Sequence, residues 1–131
     1  MRSHPALLLL LPLLTGCDDT DFSNGHGGEL SGAEGWEGVS EVFAIECVAC
    51  HGVGGTAGLD LETDPCAAIV DIDAVAYGAK LVAPGDHQAS VLWHKMADTA
   101  TYGGVMPVSG AMDPAVVDNL AAWIDDGAPC E

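Results

Sequence analysis

Cys47-Val48-Ala49-Cys50-His51 constrains this chain more than any other stretch. Two thiols two residues apart, followed at once by an imidazole, have the spacing at which a polypeptide attaches a c-type haem. Each thiol adds to one vinyl group of the porphyrin, and the next residue sets a ring nitrogen over one face of the iron. The covalent bonds fix the macrocycle, while the protein keeps control of the axial ligands that tune its potential. A CxxC pair can also act directly in thiol redox chemistry or in metal binding. It then usually stands at the strand-to-helix junction of a βαβ unit. Here a helical pattern precedes it and no strand pattern of comparable strength is visible, so a non-haem thiol-redox or metal-binding lipoprotein is the weaker alternative.

The first residues bear on where such a cofactor would be loaded. Met1–His4 carries one arginine, and Ala6–Leu14 is apolar except for Pro12. The run is far short of the roughly 20 residues that span a bilayer, so residues 1–16 read as a signal peptide. It ends in Leu14-Thr15-Gly16-Cys17, which resembles the lipobox of bacterial lipoproteins, where the cysteine thiol is diacylated after cleavage before it. An ordinary signal cleaved nearby, with Cys17 incidental, is the alternative. Several acyl chains would make a stable anchor where one would be marginal. The expected location is therefore the cell envelope, lipid-anchored to the inner or outer membrane, with the domain facing the periplasm or the cell exterior. Asp18 after the lipidation site favours inner-membrane retention in some bacteria, a rule that varies among organisms.

Export also sets the redox compartment, because free thiols rarely persist outside the cytoplasm. Of the five cysteines, Cys17 goes to lipid and Cys47 and Cys50 to haem, which leaves Cys66 and Cys130. A disulfide between them is the economical assignment and would tie the C-terminus to the middle of the domain.

The 131 residues carry 20 carboxylates against three lysines and arginines, a formal net charge of −17. Removing a leader that contains Arg2 leaves only Lys80 and Lys95. Such a surface excludes nucleic acid, whose phosphates need a basic partner. It would also repel anionic lipid, so membrane association has to come from the anchor. The charge serves solubility, and it would steer the domain toward a basic protein partner at low salt.

Residues 17–38 read as an acylated cysteine and a Gly-, Asp- and Ser-rich tether without periodicity. About 20 such residues have an r.m.s. span near 25 Å. His26 within it stands alone and reads as linker. The folded domain is expected over residues 39–131, with Ser40 as N-cap of a helix through Ala49. Phe43 then shares a face with Cys47. Gly52, Gly54, Gly55 and Gly58 end that helix in a loop. Asp64-Pro65 is a cap followed by proline in the first turn and opens a short helix through Val70. Gln88–Ala97 has helical character, and Asp113-Pro114 starts a last helix to Asp126. Val116, Val117, Leu120, Trp123 and Ile124 give that helix an amphipathic stripe, and Gly127 ends it.

A six-coordinate haem needs a second ligand opposite His51. Tyr102-Gly103-Gly104-Val105-Met106-Pro107 supplies the best candidate, Met106, because a thioether is a soft ligand that raises the potential of haem iron. Pro107 biases Met106 toward extended backbone, and the two glycines permit close approach to a porphyrin. A core role is the commoner fate of a methionine. Met112, Met96, His94 and His87 are the competitors. Met112 is better placed to anchor the last helix, and His94 would give bis-histidine ligation at a lower potential.

The order of N-terminal helix, CxxCH, intermediate helices, Met106-Pro107 loop and C-terminal helix with Trp123 resembles the class I c-type cytochrome family over nearly all of 39–126. Ser90-Val91-Leu92-Trp93 and Trp123-Ile124-Asp125-Asp126-Gly127-Ala128 look like cytochrome-like domains of bacterial outer-envelope lipoproteins. The resemblance implies an all-α fold, about four helices around one covalent haem c, with the first and last helices crossing at Phe43 and Trp123. It implies a monohaem one-electron carrier, not an enzyme, exchanging electrons with redox partner proteins. The lysine ring usual at the haem edge of small soluble carriers is missing. A haem sensor or ligand-binding lipoprotein with an open distal site is the alternative within haem chemistry. Leu59, Leu61, Ile69, Leu81, Val82 and Leu92 are expected to pack on the porphyrin, without which so small a core would fold poorly.

Overall fold

The computed structural model describes residues 30–131. The expected leader, the lipidation candidate Cys17 and residues 18–29 of the expected tether lie outside the described residues. The domain is small and mainly helical: α1 (Gly35–Val42), a π-helical turn (Phe43–Cys47), α2 (Val48–His51), α3 (Pro65–Ile69), β1 (Asp73–Ala74), β2 (Ala79–Lys80), α4 (Val91–Met96) and α5 (Pro114–Asp125). Short 3₁₀ turns cover Thr56–Gly58 and His87–Ala89. The antiparallel hairpin of β1 and β2 pairs Asp73 with Lys80 and Ala74 with Ala79. It departs from the all-α expectation because two-residue strands are too short to show a period-two pattern. None of the helices among the described residues is long and apolar enough to cross a membrane.

The first helical run begins at Gly35, so the domain starts before residue 39. Ser40 does not cap it. The Ser40 hydroxyl lies inside α1 and donates to Glu37 O at 2.9 Å, the back-bonding a mid-helix serine adopts. The start is held instead from the far end of the chain. Asn119 Oδ1 of α5 accepts the Gly35 N–H at 2.8 Å, satisfying one of the donors that a helix N-terminus leaves orphaned. Gly38 is buried at this crossing. A Cβ there would lie 1.9 Å from Ala33 O and 2.8 Å from Asn119 Nδ2, so a glycine that reads as linker is a packing requirement.

The core is built where α1 crosses α5. Phe43 and Trp123 are 1% and 2% exposed, and Trp36 sits against both, its ring centroid 6.3 Å from Phe43 and 5.3 Å from Trp123. Val39, Val42, Leu120 and Ile124 fill in around these rings, with Met96 from α4 and Leu61, Ile69 and Val82 from the middle of the chain. Leu59, Leu81 and Leu92 are half-buried at its edge. On α5 the expected stripe is graded, with Leu120, Trp123 and Ile124 buried and Val116 and Val117 half-buried.

Caps follow the aspartates. Asp64 accepts from Ala67 N at 3.0 Å and Asp113 from Ala115 N at 2.8 Å, each ahead of a proline in the first turn. The expected helix over 88–97 divides at Ser90. Asp86 caps the 3₁₀ turn by accepting from Ala89 N, and α4 begins afresh at Val91. Beyond α5, Gly127 (φ 98°) turns the tail back, and Trp123 Nε1 donates to Pro129 O at 2.7 Å. Cys66 and Cys130 are joined by a disulfide with Cα atoms 6.1 Å apart, within the usual range for a bridge.

Candidate functional site

The CxxCH segment is the continuation of α1 through a π-helical turn, in which Val48 N–H bonds Phe43 O. Wider turns of this kind are frequent at functional positions because they re-aim the residues that follow. Cys47 is half-buried against the core. Burial, with Glu46 adding to it, pushes its thiol up to about 12, so the sulfur is uncharged at neutral pH. Cys50 is disulfide-bonded. Because a sulfur in a disulfide cannot also carry a thioether, any form with haem bonded at Cys50 is one in which that bond has been reduced.

His51 ends α2 and is half-buried. Its carbonyl accepts the Leu61 N–H at 2.7 Å. Its ring Nδ1 lies 3.1 Å from Thr56 O. A carbonyl oxygen only accepts, so Nδ1 carries a proton and donates it to Thr56 O, which leaves Nε2 as the ring nitrogen facing away from this bond. That is the arrangement in which a metal-ligating histidine is held, its outer nitrogen donating to a backbone carbonyl to fix tautomer and ring orientation. The Thr56 carbonyl reaches the ring because the intervening loop is tight. Gly55 N–H bonds Gly52 O at 2.9 Å, and a Cβ on Gly55 would fall 2.5 Å from Cys50 O. Thr56 has no motif in the sequence, since a backbone carbonyl leaves no side-chain signal; the run of glycines is the available clue.

Met106 is half-buried in the loop between α4 and α5. Its N–H bonds Lys95 O at 3.0 Å, and it precedes a cis peptide bond to Pro107. The competing ligands are differently engaged. Met96 is 3% exposed in the core, and Met112 packs at the core's edge beside the start of α5. His94 has both ring nitrogens occupied, Nε2 2.8 Å from Gln88 O and Nδ1 2.7 Å from Thr99 Oγ1. Nε2 donates to the carbonyl and Nδ1 is bonded to the hydroxyl, so neither ring nitrogen is open to a metal. His87 Nδ1 is bonded to the Asp125 carboxylate at 2.8 Å. The His87 backbone N–H, and next its ring, hold Asp125 below the usual carboxylate range.

The two expected ligand segments reach the core by separate contacts. The His51 loop is tied through Leu61, and the Met106 loop through Lys95 and, at 3.4 Å from Met112 N, Met96 O. The broad groove between the start of α1 and α5 is lined by Trp36, Val42, Val116 and Trp123 and by none of Cys47, Cys50, His51 or Met106. Among the described residues no group of three or more His, Cys, Asp or Glu side chains converges on a metal-sized position. The chain matches no known family model, no characterised protein and no solved structure.

Proposed function

We propose that this chain is a monohaem c-type cytochrome that carries single electrons in the cell envelope, tethered by lipid at Cys17. In this reading Cys47 and Cys50 hold one haem c covalently, His51 is the proximal ligand and Met106 the distal one. Bound haem supplies a one-electron iron couple whose potential a Met/His ligand pair raises. The fold is then a class I cytochrome c-like domain, and the partners are redox proteins met through an acidic surface.

The observation that carries the reading is the His51 ring. Of the three histidines whose contacts are described, it is the one whose Nδ1 donates to a backbone carbonyl while it also follows a CxxC pair. The state of Cys47 weighs against the thiol-redox alternative. An attacking cysteine needs a depressed pKa, and this thiol is pushed the other way, to about 12. A thioether sulfur carries no charge and suits the same half-buried position.

The test is the optical spectrum of the protein expressed in a periplasm with haem-attachment machinery, oxidised and reduced, with a pyridine haemochrome assay. Covalent haem showing the weak far-red band of methionine-ligated ferric iron, lost in Met106→Ala, is the expected result. Haem without that band leaves a cytochrome with an open or histidine-ligated distal side. Absence of covalent haem refutes the proposal.

A further inference from the structure

We propose that Lys95 is a positioning residue that holds the Met106 loop shut, so that its side chain decides whether the distal position is closed by the chain's own sulfur or open to a small ligand; this rests on the haem reading above. Lys95 grips the loop three times. Its Nζ donates to Tyr102 O at 2.9 Å and to Gly104 O at 3.3 Å, and its own carbonyl accepts the Met106 N–H at 3.0 Å. Bonds from an ammonium to a carbonyl are roughly twice as strong as those between neutral groups.

The ammonium also has an aromatic neighbour. It lies 5.0 Å over the Tyr77 ring, a cation–π contact. Tyr102 is clamped between Tyr77, at 5.4 Å between ring centroids, and His94, at 5.3 Å. Lys95 itself is fixed by the core, because the next residue on α4, Met96, is 3% exposed.

Charge makes the arrangement informative. The chain has 20 carboxylates and three lysines and arginines. Lys80 does the expected thing and pairs with Asp73 at 2.9 Å and Asp71 at 3.3 Å. Lys95 forms no ion pair among the described residues and spends its donors on two loop carbonyls. Beyond the Tyr102 ring contacts and the bonds of Thr101 to Thr99 Oγ1, Gly103 and Gly104 are exposed, and Gly103 has a positive φ of 85°. Removing the ammonium therefore loosens residues 102–104, the stretch that leads into Met106, while the helix, the core and the CxxCH motif are untouched.

The experiment compares haem-loaded wild type, Lys95→Met and Lys80→Met. Lys95→Met keeps the apolar stem and the backbone bond from Met106. It is expected to retain covalent haem by pyridine haemochrome and to lose most of the far-red methionine band. Its reduced form should bind carbon monoxide at least about tenfold faster, and its Gly104–Met106 amides should exchange about tenfold faster. Lys80→Met, which removes the same charge from the hairpin, should match wild type in all three readouts. Lys95→Met with a wild-type band, carbon monoxide rate and loop exchange overturns the inference, as does Lys80→Met reproducing the change. If Lys95→Met does not fold, Tyr77→Leu, which strips the ring from the ammonium, is expected to speed carbon monoxide binding several-fold; no change overturns the inference. A wild type without haem overturns the haem reading instead, so the two failures are distinct.

Discussion

Ser90 and Ser40 make a matched pair for testing how this fold is held. The Ser90 residue is 0% exposed, and its hydroxyl bridges two loop segments. It accepts from Ala83 N at 2.8 Å and donates to Asp86 O at 2.8 Å. Alanine there removes both bonds. The Ala83 N–H belongs to a half-buried residue and loses its acceptor, a cost of about 1–2 kcal/mol, while Asp86 is exposed and its carbonyl recovers water, a cost below about 1 kcal/mol. The sum is about 2 kcal/mol, which for a domain of this size lowers Tm by roughly 10 °C. Ser40 sits mid-helix with its hydroxyl bonded back to Glu37 O. Alanine at that position gives up one exposed bond and gains helix propensity, so Ser40→Ala should be neutral or slightly stabilising. Thermal melts of the two variants, followed by far-ultraviolet circular dichroism at the same haem occupancy, provide the comparison. Were Ser40 a cap, its alanine variant would lose about 1 kcal/mol. A Ser40→Ala melt as low as that of Ser90→Ala, or a Ser90→Ala melt within 2–3 °C of wild type, refutes this account of both residues.

Gly38→Ala should destabilise by about 3 kcal/mol in denaturant titrations, because its Cβ would fall 1.9 Å from Ala33 O at the α1–α5 crossing. Cys130→Ser should cost about 4 kcal/mol by the same titration, since it opens a loop of sequence separation 64. Asp125→Asn should flatten the acid limb of Tm against pH: the native carboxyl is held below its ordinary value of 3.8, first by the His87 N–H, so its contribution is present above that value and is lost as pH falls through the depressed native one. Gly55→Ala should weaken the His51–Thr56 bond, because the new Cβ would meet Cys50 O at 2.5 Å; a less basic imidazole favours ferric iron less, so the readout is a higher reduction potential of the haem-loaded protein.

Some of these features could be read from the chain and others could not. The Asp64-Pro65 and Asp113-Pro114 starts were visible because a cap is a local interaction between residues three or fewer apart. The α5 stripe was visible because burial along one helix follows its own period. The start of α1 was misplaced because its cap comes from Asn119, 84 residues away, and no local pattern encodes that. Trp36 reads as part of a tether because of the glycines around it, although it is the ring against which Phe43 and Trp123 pack. Within the site, Cys47, Cys50 and His51 announce themselves by spacing, and Met106 by its Gly-Gly and Pro setting. The groups that orient them, Thr56 O and Lys95, act through the backbone or at a distance in the fold, and neither has a motif.

The histidines show how the fold selects among chemically equal candidates. His51, His87 and His94 all have the same imidazole, and sequence ranks them only by their neighbours. Folding gives each a different partner: a carboxylate for His87, a carbonyl and a hydroxyl for His94, and a single carbonyl at Nδ1 for His51. A carboxylate ties the His87 ring to α5, and two partners consume both nitrogens of His94. One carbonyl at Nδ1 does neither. It leaves Nε2 without a hydrogen-bond partner among the described residues, next to a half-buried Cys47 thiol that is pushed up to about 12. An imidazole oriented through Nδ1 beside a thiol held in its neutral form is a poor basis for thiol exchange, which needs the charge that Cys47 is denied. It favours the haem reading proposed above, in which the Cys50 disulfide is first reduced.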